Sequence, residues 1–144
     1  MLDTNGTLVL GKYLLSAELT RSEWGALAVA GIMAHEFGHI YQFQTEFGQR
    51  LTQSQPTSKL LELHADYLGG YHIGLKRLRD GEIDAEVFME SLYLKGDNDF
   101  TNRDHHGTPE ERATAMLAGY KTGLTNNRSI HQVAEMGVTF VHNI

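Results

Sequence analysis

Two histidines four residues apart, with a glutamate directly after the first, stand in an otherwise apolar run: His35, Glu36 and His39 in IMAHEFGHIYQFQ, residues 32–44. Imidazole and carboxylate groups resist burial unless something compensates them. On a helix, positions i and i+4 lie one above the other, so both rings can reach a single cation while Glu36 flanks it. The chemistry such a set serves is hydrolysis by activated water, with a divalent metal on the imidazoles and a carboxylate base beside it.

Catalytic zinc takes three protein ligands and keeps a fourth position for water, so one ligand remains to be found. The chain contains no cysteine. That rules out thiolate ligands and a disulfide framework alike. Glu62, in the segment ELHAD, offers the missing carboxylate, and Asp66 follows four residues later on the same helical face. Asp66 is placed to accept a hydrogen bond from the outer nitrogen of a ligating histidine and so fix its tautomer. His64 is rotated away from both acids. The expected cofactor is one zinc ion on His35, His39 and Glu62. His72, His131 and His142 have no accompanying carboxylate constellation and read as ordinary surface or core residues. Trp24, Phe37, Tyr41 and Tyr67 recur at helical spacing and read as core or cleft wall.

These side chains need elements to hold them. NGTLVLGKYLLS opens on a turn dipeptide and reads as a strand reaching to about Leu15. Its edge at Leu8, Val9 and Leu10 is a place where an extended peptide could add by main-chain hydrogen bonds. Thr20 with Glu23 forms a capping-box pattern and Gly48 offers a stop, which predicts a helix from about Arg21 to Glu46 carrying the motif. RLTQSQPTS reads as a loop. Ser58 then caps a second long helix that carries Glu62 and Asp66. DAEVFMESLYLKG reads as a shorter helix and GDNDFTNRDHHG as a surface excursion. Thr108, Pro109 and Glu111 predict a well-capped helix over TPEERATAMLAGYKTG. The tail is a helix to about Met136, or a helix followed by a strand, because GVTFV favours extended backbone. The fold class expected is α+β, mostly helical, with a small β-sheet or edge strand and four to five helices.

The 144 residues, 41% hydrophobic, suit one domain with a sizeable core. A formal net charge of -6, with no basic run beyond LKRLRD, argues against nucleic acid. No apolar run approaches the roughly 20 residues that span a bilayer, so the chain is expected to be soluble with no membrane insertion. The expected partner is a peptide or protein substrate.

MAHEFGHIYQ, LELHADYLGGY and HGTPEERATAMLAGY occur in the order seen in gluzincin zinc metallopeptidases. The chain resembles the neutral zinc metallopeptidases and their relatives, the prenyl-protein and heat-shock membrane endopeptidases. The resemblance implies a single zincin-like domain over residues 1–144, lacking a strand and a helix that relatives place upstream. It also implies His35 and His39 as zinc ligands, Glu36 as general base, Glu62 as third ligand and Asp66 as outer support. A downstream pair follows, with His106 stabilising the transition state and Arg112 near it; the spacing to Arg112 selects His106 over His105. Arg112 is expected to orient the DHHG loop. The implied activity is zinc-dependent hydrolysis of internal peptide bonds. The alternatives are a regulatory protease dedicated to one partner protein and a non-catalytic, zinc-stabilised interaction domain.

Overall fold

The structure, a computed structural model, describes residues 6–21, 24–53, 55–81, 86, 105–125 and 127–144. Six helices follow one another among these residues: α1 (Lys12–Arg21), α2 (Gly25–Gln44), α3 (Phe47–Gln53), α4 (Lys59–Asp80), α5 (Pro109–Gly123) and α6 (Ile130–Val141). No strand occurs among the described residues, which corrects the expected α+β class with its small sheet or edge strand. Residues 6–11 carry no regular structure, and the chain turns helical from Lys12. A lone extended segment has no ladder partner to stabilise it. KYLLSAELTR, in contrast, is rich in Leu, Ala, Lys and Glu, which favour a helix.

Of the two readings of the tail the helix is the one seen, and it runs beyond Met136. GVTFV lies within α6, where Val133, Ala134, Gly137, Val138 and Val141 form one buried face at helical spacing. Packing has overridden the extended preference of the β-branched residues. Ser129 and Gln132 close a capping box at its start.

The motif helix is shorter than expected at both ends. Thr20 belongs to the last turn of α1, where its hydroxyl donates to the Ser16 carbonyl at 2.8 Å, and the residue at the cap position of α2 is Trp24. Glu23 lies outside the described residues. At the other end Thr45 is fully extended, with φ -129° and ψ 178°, and Gly48 sits buried inside α3 rather than serving as a stop. Arg50–Gln53, expected in a loop, complete α3. The helix expected over DAEVFMESLYLKG, Glu86 apart, and the excursion from Gly96 to Asp104 lie outside the described residues.

Helix α4 is the central element, in contact with α2, α3, α5 and α6. One core cluster joins Phe47 and Leu51 of α3 to Leu63 and Tyr67 of α4, Ala115 of α5 and Val133, Ala134 and Val138 of α6. A second joins Ala34 of α2 to Ile73 of α4 and to Met116 and Tyr120 of α5. Where α2 crosses α4, a Cβ on Gly69 would lie 3.2 Å from the His35 backbone nitrogen. Glycine there lets α4 press against the turn that bears the motif. Tyr67 is core and Phe37 and Tyr41 line a cavity of about 660 Å³, in keeping with the expected core or cleft wall, whereas Trp24 is 47% exposed and lines no core cluster. No helix among the described residues is long and apolar enough to cross a membrane.

Candidate metal centre

Helix α2 brings His35 and His39 to one side, and the adjacent α4 brings Glu62 to meet them. The two Nε2 atoms are 3.1 Å apart. Glu62 Oε2 lies 3.4 Å from His35 Nε2, and Glu62 Oε1 lies 3.3 Å from His39 Nε2. Zinc–nitrogen and zinc–oxygen bonds of about 2.0–2.1 Å in a tetrahedron place neighbouring donors about 3.3 Å apart. The separations are of that size, with each Glu62 oxygen facing a different imidazole; one ligand atom from each residue lies within 4.8 Å of the others, so the three residues form one face of donors whose types suit zinc.

Outward from this face, Asp66 Oδ1 lies 2.7 Å from His35 Nδ1. Asp66 is expected to pair with the outer nitrogen of a histidine of the site, and the ring it meets is that of His35. Arg112, 4% exposed, grips the same carboxylate through Nε to Oδ2 at 2.8 Å and Nη2 to Oδ1 at 2.9 Å. Its Nη2 also lies 3.7 Å from Glu62 Oε2. Arg112, expected to orient the DHHG loop, makes a forked ion pair with an acid on α4. The start of α5 makes this possible: Thr108 accepts from the Glu111 backbone N–H, Glu111 accepts from the Thr108 N–H, and Pro109 occupies the first turn. Lys59 on α4 reaches Glu111 at 2.5 Å and ties the two helix starts together.

Electrostatics follow from these contacts. Burial disfavours a charged His35, but the Asp66 and Glu62 carboxylates outweigh it and raise its pKa to about 9. Burial alone would raise the Glu62 pKa, yet the two imidazoles hold it well below the usual carboxylate range. Asp66, fully buried, is likewise held low against its burial by His35 and Arg112. The proton His35 retains balances Glu62, a duty that a bound cation would take over with release of the proton.

The face opens onto a cleft of about 580 Å³ lined by Ile32, Glu36, Phe43, Leu61 and His106 as well as the three donors. Glu36 and His106 are both half-buried. His105 is 3% exposed and does not line the cleft. Ser58 opens α4, but its hydroxyl makes no cap bond and donates instead to the His105 carbonyl at 3.2 Å, anchoring the segment that carries His106. A second cavity of about 510 Å³ shares Glu36, His39 and Phe43 with the first and is lined by Gly6, Thr7, Leu8 and Val9. Leu8 and Val9 therefore flank the site without forming an edge strand, and Leu10 is not part of that lining.

The chain was compared with protein-family models, curated proteins and solved structures. None of the three gave a match.

Two residues escaped the sequence reading. Gln42 and His64 are both fully buried, and Gln42 Oε1 lies 2.9 Å from His39 Nδ1 while its amide nitrogen lies 2.9 Å from His64 Nδ1. The i, i+3 spacing from His39 could have pointed to Gln42. Nothing local could have pointed to His64, because its second partner is the Ala134 carbonyl on α6, at 3.0 Å. Burial pushes the His64 pKa down to about 4, against that carbonyl hydrogen bond. A further set, Glu46, His131 and Glu135, also brings ligand atoms together. Arg50 occupies Glu135 there in a forked pair at 2.6 and 2.9 Å, and Glu46 and His131 are exposed.

Proposed function

We propose that the protein is a zinc-dependent endopeptidase of the gluzincin kind, with His35, His39 and Glu62 holding one zinc ion. The observation that carries this reading is the convergence of two imidazole nitrogens 3.1 Å apart with the Glu62 carboxylate, whose two oxygens lie 3.3 and 3.4 Å from them, beside a cleft lined by Glu36 and His106. A structural zinc site fills all four positions with protein ligands, whereas three donors beside a cleft suit catalysis. Zinc held there would supply Lewis acidity, which polarises a carbonyl group and acidifies water to a pKa of about 7.

The chain's own residues account for the remainder. Glu36 takes the proton from the attacking water and returns it to the departing amine, which splits a peptide bond without leaving charge on the amine. His106 donates toward the oxygen on which negative charge develops; one such donor is typically worth about 3–4 kcal/mol. Asp66 and Arg112 keep the His35 ring in the tautomer that turns Nε2 toward the cleft. An extended peptide runs through both cavities, past Leu8 and Val9 on one side and Ile32 and Leu61 on the other, with Phe43 between.

The test is Glu36→Gln, which preserves shape and removes the base. Zinc content should be unchanged, and turnover of an unfolded protein substrate should fall by roughly 10²- to 10⁴-fold. Equal turnover in both forms would eliminate Glu36 as the base, and a wild-type protein that binds no zinc would end the reading altogether.

A further inference from the structure

The geometry points to a function for Gln42 and His64: they form a neutral hydrogen-bonded relay that sets the tautomer and aim of His39, and so tunes metal affinity from the C-terminal helix. This rests on the reading that His35, His39 and Glu62 hold a divalent cation.

Each link in the relay follows from the one before. The Ala134 carbonyl can only accept, so the His64 nitrogen 3.0 Å from it, Nε2, carries the proton. In the neutral ring Nδ1 is then bare and can only accept. Its partner is the Gln42 amide nitrogen at 2.9 Å, and that nitrogen also donates to the Leu61 carbonyl at 2.9 Å. Both amide protons are thereby used, and flipping the amide would set oxygen against oxygen at Leu61. Gln42 Oε1 must face His39 Nδ1 as an acceptor, at 2.9 Å. His39 therefore carries its proton on Nδ1 and turns a bare Nε2 toward His35 and Glu62, the state in which imidazole ligates a metal.

Close packing holds the relay in place. Gln42 and His64 are each 0% exposed, and His64 stacks on Phe47 with ring centroids 5.7 Å apart. On α6, a Cβ at Gly137 would lie 2.9 Å from His64 Cδ2, so glycine lets that helix close over the ring. Helix α6 supplies no ligand, yet its Ala134 carbonyl is the fixed end from which the His39 tautomer is set.

The experiment measures zinc affinity by competition with a chromophoric chelator, together with ¹⁵N shifts of the His39 ring in the zinc-loaded protein. Gln42→Met keeps the volume and removes the acceptor. It should weaken zinc binding by roughly 10- to 100-fold and abolish the slowly exchanging Nδ1 proton of His39. His64→Phe keeps the stack on Phe47 and removes both hydrogen bonds; it should weaken binding several-fold, and it serves should Gln42→Met fail to fold. Wild-type affinity with an unchanged His39 signal in either folded variant would overturn the relay while leaving the metal site standing. A wild-type protein without zinc affinity would overturn both.

Discussion

His35 and His39 turn the same ring nitrogen toward one place from adjacent turns of α2, but the protein supports them by unlike means. Behind His35 stands a charged clamp, Asp66 gripped by Arg112, both almost wholly buried. Behind His39 stands an uncharged chain of amide, imidazole and backbone carbonyl. Arg112 compensates one buried carboxylate, and Glu62 is already a second beside the rings. A third acid behind His39 would need a counter-charge of its own, because an uncompensated buried charge is strongly unfavourable. The neutral relay gives the same tautomer control without that demand. One histidine is thus held by strength and the other by fit.

The sharpest way to break this contrast is to remove one charge from the clamp. Asp66→Leu takes the forked carboxylate partner from the buried Arg112 guanidinium and should lower stability by about 3–5 kcal/mol, read by urea unfolding. Adding Arg112→Met to it should recover much of that loss, since a buried pair replaced by apolar groups is often close to neutral. Zinc affinity should stay low in the double variant, because His35 still lacks its partner. Recovery of both quantities together would show that the clamp serves packing alone.

The relay should break more gently. His64→Phe removes the side-chain donor to the Ala134 carbonyl, which keeps its place in the helical ladder, and leaves one Gln42 amide proton without its acceptor, while the Leu61 bond and the ring stack remain. The expected loss is about 2 kcal/mol, within the usual range for unsatisfied buried groups. An effect as large as that of Asp66→Leu in the same unfolding measurement would remove the distinction between charged and neutral support.

How far these two supports could be read from the sequence differs for a physical reason. The His35 side was legible, since His35, Glu62 and Asp66 sit at helical spacings on two amphipathic segments and their chemistry is local to each. The Arg112 grip was legible only as a residue near the site, because its partner depends on how α5 meets α4. The His39 side was half legible at best: Gln42 lies within one turn, but His64 and the Ala134 carbonyl come from α4 and α6, whose contact no spacing encodes. The fold shows the same division. The capped start of α5 and the central α4 follow from local signals, whereas the expected strand at Thr7–Leu15, and the strand that was one of two readings of GVTFV, gave way to helix or irregular chain once packing and the lack of a ladder partner decided the matter.

The smallest expected effect concerns how the clamp is held ready. Glu111 closes the cap of α5 one residue before Arg112 and pairs with Lys59 at the start of α4, so it fixes the helix end from which Arg112 reaches Asp66. Burial would raise the Glu111 pKa, but Lys59 and the Thr108 backbone N–H outweigh it and hold it below the ordinary 4.5. A carboxyl whose folded pKa is depressed stabilises the fold above its unfolded pKa, and that contribution fades as pH falls through the folded value. Glu111→Gln keeps a side chain able to close the cap and loses the ion pair. It should therefore cost about 0.5–1 kcal/mol at pH 7, and the gap between the two unfolding curves should close as pH drops below about 4.5. This link supports the clamp behind His35 and touches no member of the relay, so zinc affinity in Glu111→Gln should fall only through His35. A His39 ring signal that shifted along with it would mean that the two supports act as one network.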